Sequence, residues 1–149
     1  MRAFYGATSL LVGILLVSPI DVAASGAANT IPLRVIVKGV TKPKGVVRVA
    51  VYQQSNFLKG SVSEDMRWLF KADTKPLQYI FLKIPAGQYA VVAFHDENNN
   101  GKLDRSPIGI PLEQVGFSND AVGVAGPPTF QQAGFQLGPR PRSITINFG

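Results

Sequence analysis

The chain contains no cysteine. That excludes disulfides, thiolate metal sites, a cysteine nucleophile and the lipid-modified cysteine of a bacterial lipoprotein, so stability must come from packing, with or without a bound ion. Histidine is almost as scarce: His95 is the only one in 149 residues, which leaves a single imidazole for acid–base chemistry or for a nitrogen-rich metal site. No long unbroken apolar run is present either. The apolar stretch Ala7 to Val17 is followed by Ser18, Pro19 and Asp21, short of the roughly 20 apolar residues of a membrane span. Residues 1–24 instead have the layout of a secretory signal, with Arg2 as the positive start and Val22-Ala23-Ala24 as small residues for cleavage. The expectation is a single mature domain over 25–149, periplasmic or secreted, with no stable membrane insertion after cleavage.

A run of basic residues is lacking too. The formal charge is +6, and removing Arg2 and Asp21 leaves 14 basic against 8 acidic residues, so the excess is unchanged. It is dispersed: Lys38, Lys42, Lys44 and Arg48 form one loose group and Arg140 and Arg142 another, without interleaved stacking aromatics. This argues against nucleic acid and leaves an unidentified protein or an envelope polymer as the expected partner.

What is present is mostly β patterning. Leu33, Val35 and Val37 alternate with Arg34 and Lys38, and Val47, Val49 and Val51 alternate around Arg48, the period of strands with one buried face. With Gly39 to Gly45 as the turn, these two segments read most simply as a hairpin. Ser61-Val62-Ser63-Glu64 fits a capping box, and Val62, Met66, Leu69 and Phe70 recur at helical spacing, so one short helix is expected over 62–72. Trp68 falls off that stripe and reads as a core or edge-sealing residue. Strands follow at Tyr79 to Ile84 and Tyr89 to His95, the latter with Tyr89, Val91 and Ala93 on one face. Pro107 and Pro111 then impose a long ordered loop over 105–128, anchored by Val115 or Phe117. Pro128 to Phe135 can make one short turn, and Ser143 to Phe148 a closing strand. Five to seven strands with one helix give a mainly β chain, an antiparallel β-sandwich of immunoglobulin-like layout.

The most informative stretch is His95-Asp96-Glu97-Asn98-Asn99-Asn100-Gly101-Lys102-Leu103-Asp104. Oxygen-bearing side chains alternate at Asp96, Asn98 and Asn100, Gly101 permits a sharp turn, and Asp104 returns a second carboxylate. That is how a loop wraps a hard cation. Counted as an EF-hand loop from Asp96, position 7 is the Lys102 carbonyl and position 9 is Asp104, but position 12 is Pro107 and the bidentate Glu is missing. The expected metal site is therefore calcium held by Asp96, Asn98, Asn100, Lys102 and Asp104, with Glu113 folded back to complete the shell. The alternative is a plain Asn/Gly turn that needs no ion.

Two resemblances accompany these residues. Strand, Pro85-x-Gly87, Tyr89, strand is similar to the transthyretin-like and carboxypeptidase-regulatory-like sandwiches of secreted proteins. The wider series, Pro85-x-Gly87-x-Tyr89-Ala90, His95-Asp96-Glu97-Asn98-x-Asn100-Gly101-Lys102-Leu103-Asp104, Gly109-x-Pro111-x-Glu113, Gly116-Phe117-Ser118-Asn119 and Phe130-x-x-Ala133-x-Phe135, resembles the secreted bacterial family called domain of unknown function 2141. That family implies no particular activity.

For catalysis the inventory is thin. Ser118 lacks the second glycine of a nucleophile elbow, and its only imidazole would be His95. Asp96, Glu97, Asp104 and Glu113 could supply a carboxylate pair for cleaving an envelope polymer. The sequence thus favours a non-catalytic binding or structural module, stabilised by calcium, over a carboxylate hydrolase or a metal-free interaction sandwich.

Overall fold

The computed structural model describes residues 29–59, 62–75 and 78–149. The expected signal segment lies outside these, as does Ser61 of the expected capping box. Among the described residues eight strands are present: β1 Thr30–Lys38, β2 Val46–Tyr52, β3 Arg67–Lys71, β4 Gln78–Pro85, β5 Gly87–Asp96, β6 Val115–Phe117, β7 Phe135–Leu137 and β8 Arg142–Asn147. They form two sheets, one ordered β4-β1-β8 and one β3-β2-β5-β6, with β7 also paired to β5. All pairings are antiparallel except β1 with β8, which run parallel. The fold is mainly β, consistent with a sandwich.

Leu33, Val35 and Val37 of β1 and Ile144 and Ile146 of β8 share one core with Val47, Val49 and Val51 of β2 and Tyr89, Val91 and Ala93 of β5. Burying a side chain of that size contributes about 1.5–3 kcal/mol, so this shared layer is the main source of stability. It also explains why the expected β1–β2 hairpin does not form. β1 pairs with β4 and β8, and β2 with β3 and β5. In one sheet the two valine stripes would lie side by side and both would need another layer to cover them; crossing to the facing sheet lets each cover the other. Gly39 to Gly45 is that crossover. Gly45 has φ +72, and a Cβ there would lie 2.1 Å from the Asp96 carbonyl oxygen, so only glycine allows the crossover to lie against the end of β5.

The helix expected over 62–72 is also corrected. Glu64–Met66 is one 3-10 turn, and Arg67–Lys71 is strand β3 on the edge of β2. The segment Arg-Trp-Leu-Phe-Lys satisfies a period of two as well as a helical stripe, and the unpaired edge of β2 decides between them. Trp68 and Phe70 face inward opposite Val49 and Val47 and pack on the core, aromatic against β-branched, while Leu69 is left exposed. The short helix is instead α1, Phe130–Ala133, whose capping box is Thr129 with Gln132. Within the 105–128 loop, β6 and a 3-10 turn at Ser118–Asp120 were not foreseen as elements, although Val115 and Phe117 do pack where an anchor was expected.

Pro85-x-Gly87-x-Tyr89 has a physical basis. The Tyr89 hydroxyl donates to the Pro85 carbonyl at 3.0 Å, and a Cβ at Gly87 would sit 3.2 Å from the tyrosine ring, so the glycine leaves room for the ring to fold back over the corner. Such tyrosine corners occur in β-sandwiches.

Candidate functional site

β5 carries the chain out of the core and ends at Asp96, which is fully buried. Its Oδ2 accepts from Arg48 Nε at 2.6 Å and from the Gly101 N–H at 2.9 Å, and its Oδ1 from the Asn100 N–H at 3.0 Å. A buried carboxylate without partners would be very costly, and here a guanidinium and two amides surround it. Burial pushes its pKa up; the Arg48 hydrogen bond, the Gly101 amide, the Arg48 charge and the Asn100 amide together outweigh that and hold it below the ordinary 3.8.

The other loop residues continue the pattern. Asn98 Oδ1 accepts from Asn100 N–H, and Asn100 Oδ1 from Lys102 N–H, two successive Asx turns. The side-chain amides of Asn98 and Asn100 both donate to the Asp104 carboxylate, at 2.6 and 2.9 Å. Glu113 closes the loop from outside: Oε1 accepts from Glu97 N–H at 2.9 Å and Oε2 from Asp104 N–H at 3.0 Å. Glu97 turns away to Lys42, bonded through both oxygens at 3.0 and 2.9 Å. That hydrogen bond lowers the Glu97 pKa, against an opposing push from desolvation, with the charges of Lys42, His95 and Lys44 adding to the lowering.

Of the six residues expected to share calcium, the structure brings the side chains of Asn98 and Asn100 onto Asp104, while the Asp96 carboxylate faces Arg48 and the backbone amides of Asn100 and Gly101; no cluster of three or more acidic or imidazole groups suited to a metal occurs among the described residues. Lys102 contributes a backbone N–H to the turn. Glu113, expected to complete the calcium shell, folds back to the loop with both of its oxygens on amides that fix the loop ends. Sequence reasoning set Arg48 on the outward face of β2 but missed that it compensates the charge of Asp96; the missing signal was the pairing of β2 with β5, which sets Arg48 opposite Phe94. It also missed Gln114, which accepts from Thr41 and donates to the Gly39 carbonyl, tying the crossover to β6.

Two groups weighed for hydrolysis have other partners. His95 is fully buried, and its Nε2 lies 2.6 Å from the Lys44 carbonyl, which requires the proton on Nε2. Ser118, also fully buried, accepts from Val91 N–H at 2.8 Å and donates to the carbonyls of Ala133 and Val91. β7 pairs with β5 through Tyr89 and β6 from Val92 onward, so Val91 has no strand partner on that side. The Ser118 hydroxyl stands in for the missing peptide group.

A bacterial family profile, described as an uncharacterized protein conserved in bacteria, DUF2141, matches residues 35–145. The chain belongs to that family. The match runs from within β1 to within β8 and so includes both sheets and the whole 96–113 region. No curated protein and no solved structure matches the chain. In this DUF2141 chain the Asp/Asn loop adjoins a hollow on the outer face of β2, β3 and β5, which Arg48 and Gly101 both line.

Proposed function

We propose that the chain is an exported, non-catalytic binding or structural module of the bacterial envelope, in which the Asp/Asn loop is a rigid support and the adjoining sheet face meets a protein or envelope polymer. The observation that carries this reading is the division of polar groups. Asp96, Asp104 and Glu113 are spent on amides and on Arg48, whereas the neighbouring side chains of Arg67, Glu64 and Tyr52 make no hydrogen bond or ion pair among the described residues. Carboxylates engaged in this way support a loop better than they serve as a general acid and base. The test is fractionation with N-terminal sequencing, followed by co-sedimentation of the mature protein with isolated envelope. Export is refuted by an intact Met1 on cytoplasmic protein, and binding by failure to sediment.

A second reading, that calcium stabilises the loop, rests on the gathering of Asn98 and Asn100 around Asp104. An ion there would replace the amide bonds to Asp104 with oxygen contacts. At a hundredfold excess over its dissociation constant it would add about 2.7 kcal/mol. A melting temperature indifferent to calcium and chelator removes this reading and leaves the first intact.

A further inference from the structure

The hollow beside the loop has a volume of about 440 Å³, within the range of roughly 300–1,000 Å³ usual for small-ligand sites. Its shape follows from the strand lattice. On the outer face Ala50 lies opposite Arg67 of β3 and Val92 of β5, and one pleat along Arg48 lies opposite Leu69 and Phe94. A methyl group among larger neighbours leaves a depression, with an apolar wall of Phe94 and Leu69.

Polar groups line it without being used by the protein. Arg48 is bonded only through Nε, so its two Nη groups are unengaged, and the side chains of Arg67, Glu64 and Tyr52 have no hydrogen-bond partner among the described residues. Arg48 is also not a loose surface arginine, because the buried Asp96 fixes one edge of its guanidinium. Formal charge balances: Glu64 and Asp96 offset the two arginines. Such a site gives no large reward to a strongly charged ligand. Unspent donors and acceptors beside an apolar wall instead suit an uncharged ring bearing several hydroxyls, one face of which is C–H.

We propose that this hollow binds one or two pyranose units of a neutral glycan, with the C–H face of the sugar against Phe94 and Leu69 and its hydroxyls bonded to Arg48, Arg67, Glu64 and Tyr52. This rests on the reading that this face is the binding surface, and it names the ligand class.

The test is titration of the mature protein with cellobiose and N,N′-diacetylchitobiose, and with digalacturonate as a charged sugar of similar size, followed by amide NMR and calorimetry. Saturable shifts on β2, β3 and β5 with at least one neutral disaccharide are expected. Ala50→Leu fills the floor while keeping both Arg48 and Asp96 in the chain, and should weaken binding at least about tenfold while the melting temperature holds; Arg67→Met should weaken it by about tenfold. No saturable shift at 20-fold above a roughly millimolar ligand concentration, undiminished binding to Ala50→Leu, or tighter binding of digalacturonate than of both neutral sugars each overturns the proposal. Envelope co-sedimentation without any response to the sugars overturns it too, while leaving the binding-module reading standing.

Discussion

Between Asp96 and Asp104 the only large aliphatic side chain is Leu103, half-buried, whereas between Arg105 and Gly126 five of them stand exposed: Ile108, Ile110, Leu112, Val122 and Val124. The first loop is held by side chains, through Asp96, Asn98, Asn100, Asp104 and Glu113. The second is held mainly by its own backbone and by its ends, with the Arg105 guanidinium donating to the Gly109 carbonyl and the Ser106 hydroxyl accepting from the Ile110 N–H. Ser106 N–H donates to the Ile110 carbonyl and Gly109 N–H to the Ser106 carbonyl, Arg105 and Pro111 form a bridge, and Ser118 anchors the far end. The contrast shows that a loop needs its backbone groups satisfied, not its side chains buried. It also places the sensitive positions: many polar residues in the first loop, Arg105, Ser106 and Ser118 in the second, and none of the exposed aliphatics.

The largest effect should come from Asp96→Ala, which strands the Arg48 guanidinium and the amides of Asn100 and Gly101. Arg48 is 30% exposed, so the loss should be near the low end of the buried-pair range, about 3 kcal/mol. Urea unfolding measures it, and a loss under about 1 kcal/mol would mean that water replaces the aspartate. Adding Arg48→Met to that variant should recover part of the loss.

Glu113→Gln should cost about 1.5–3 kcal/mol, because the amide keeps one acceptor for the two N–H groups of Glu97 and Asp104. If unfolding midpoints do not move, the loop closes without its clasp. Ser118→Ala tests the corresponding anchor of the second loop: about 1–3 kcal/mol lost, with faster amide exchange at Val91. Unchanged exchange there would show that another group bonds Val91.

Acid should separate the two loops as well. The folded pKa of Asp96 and of Glu97 lies below the ordinary value of 3.8 and 4.5 respectively. Stability from these carboxylates is therefore fully present above those ordinary values and is lost as pH falls below them through the depressed folded values. Amide shifts of 96–104 should move in that range while those of 106–111 stay still; simultaneous movement would mean that the loops unfold together. The smallest effect belongs to Ile108→Ser and Val124→Ser, each within about 0.5 kcal/mol by the same unfolding measurement. A larger loss would reveal burial of these side chains in a self-associated form.

The sequence by itself determined the local rules. Period-two valines made β1 and β2 strands, Pro85 to Tyr89 made a corner, and the alternating Asp96, Asn98 and Asn100 with Gly101 made a tight polar turn, because each depends on neighbours within a few residues. Only the tertiary structure decided which strand lies beside which. An alternating stripe states that a face is buried and not what covers it, so the crossover of β2 to the second sheet and the parallel pairing of β8 with β1 were not legible. For the same reason Arg67 to Lys71 became a strand: the open edge of β2 outweighed the helical spacing of Val62, Met66, Leu69 and Phe70. At the loop, the residue types were legible and their partners were not. Arg48 is 48 residues from Asp96, and whether a carboxylate faces an ion, an amide or a guanidinium is fixed by what the fold brings within 3 Å of it.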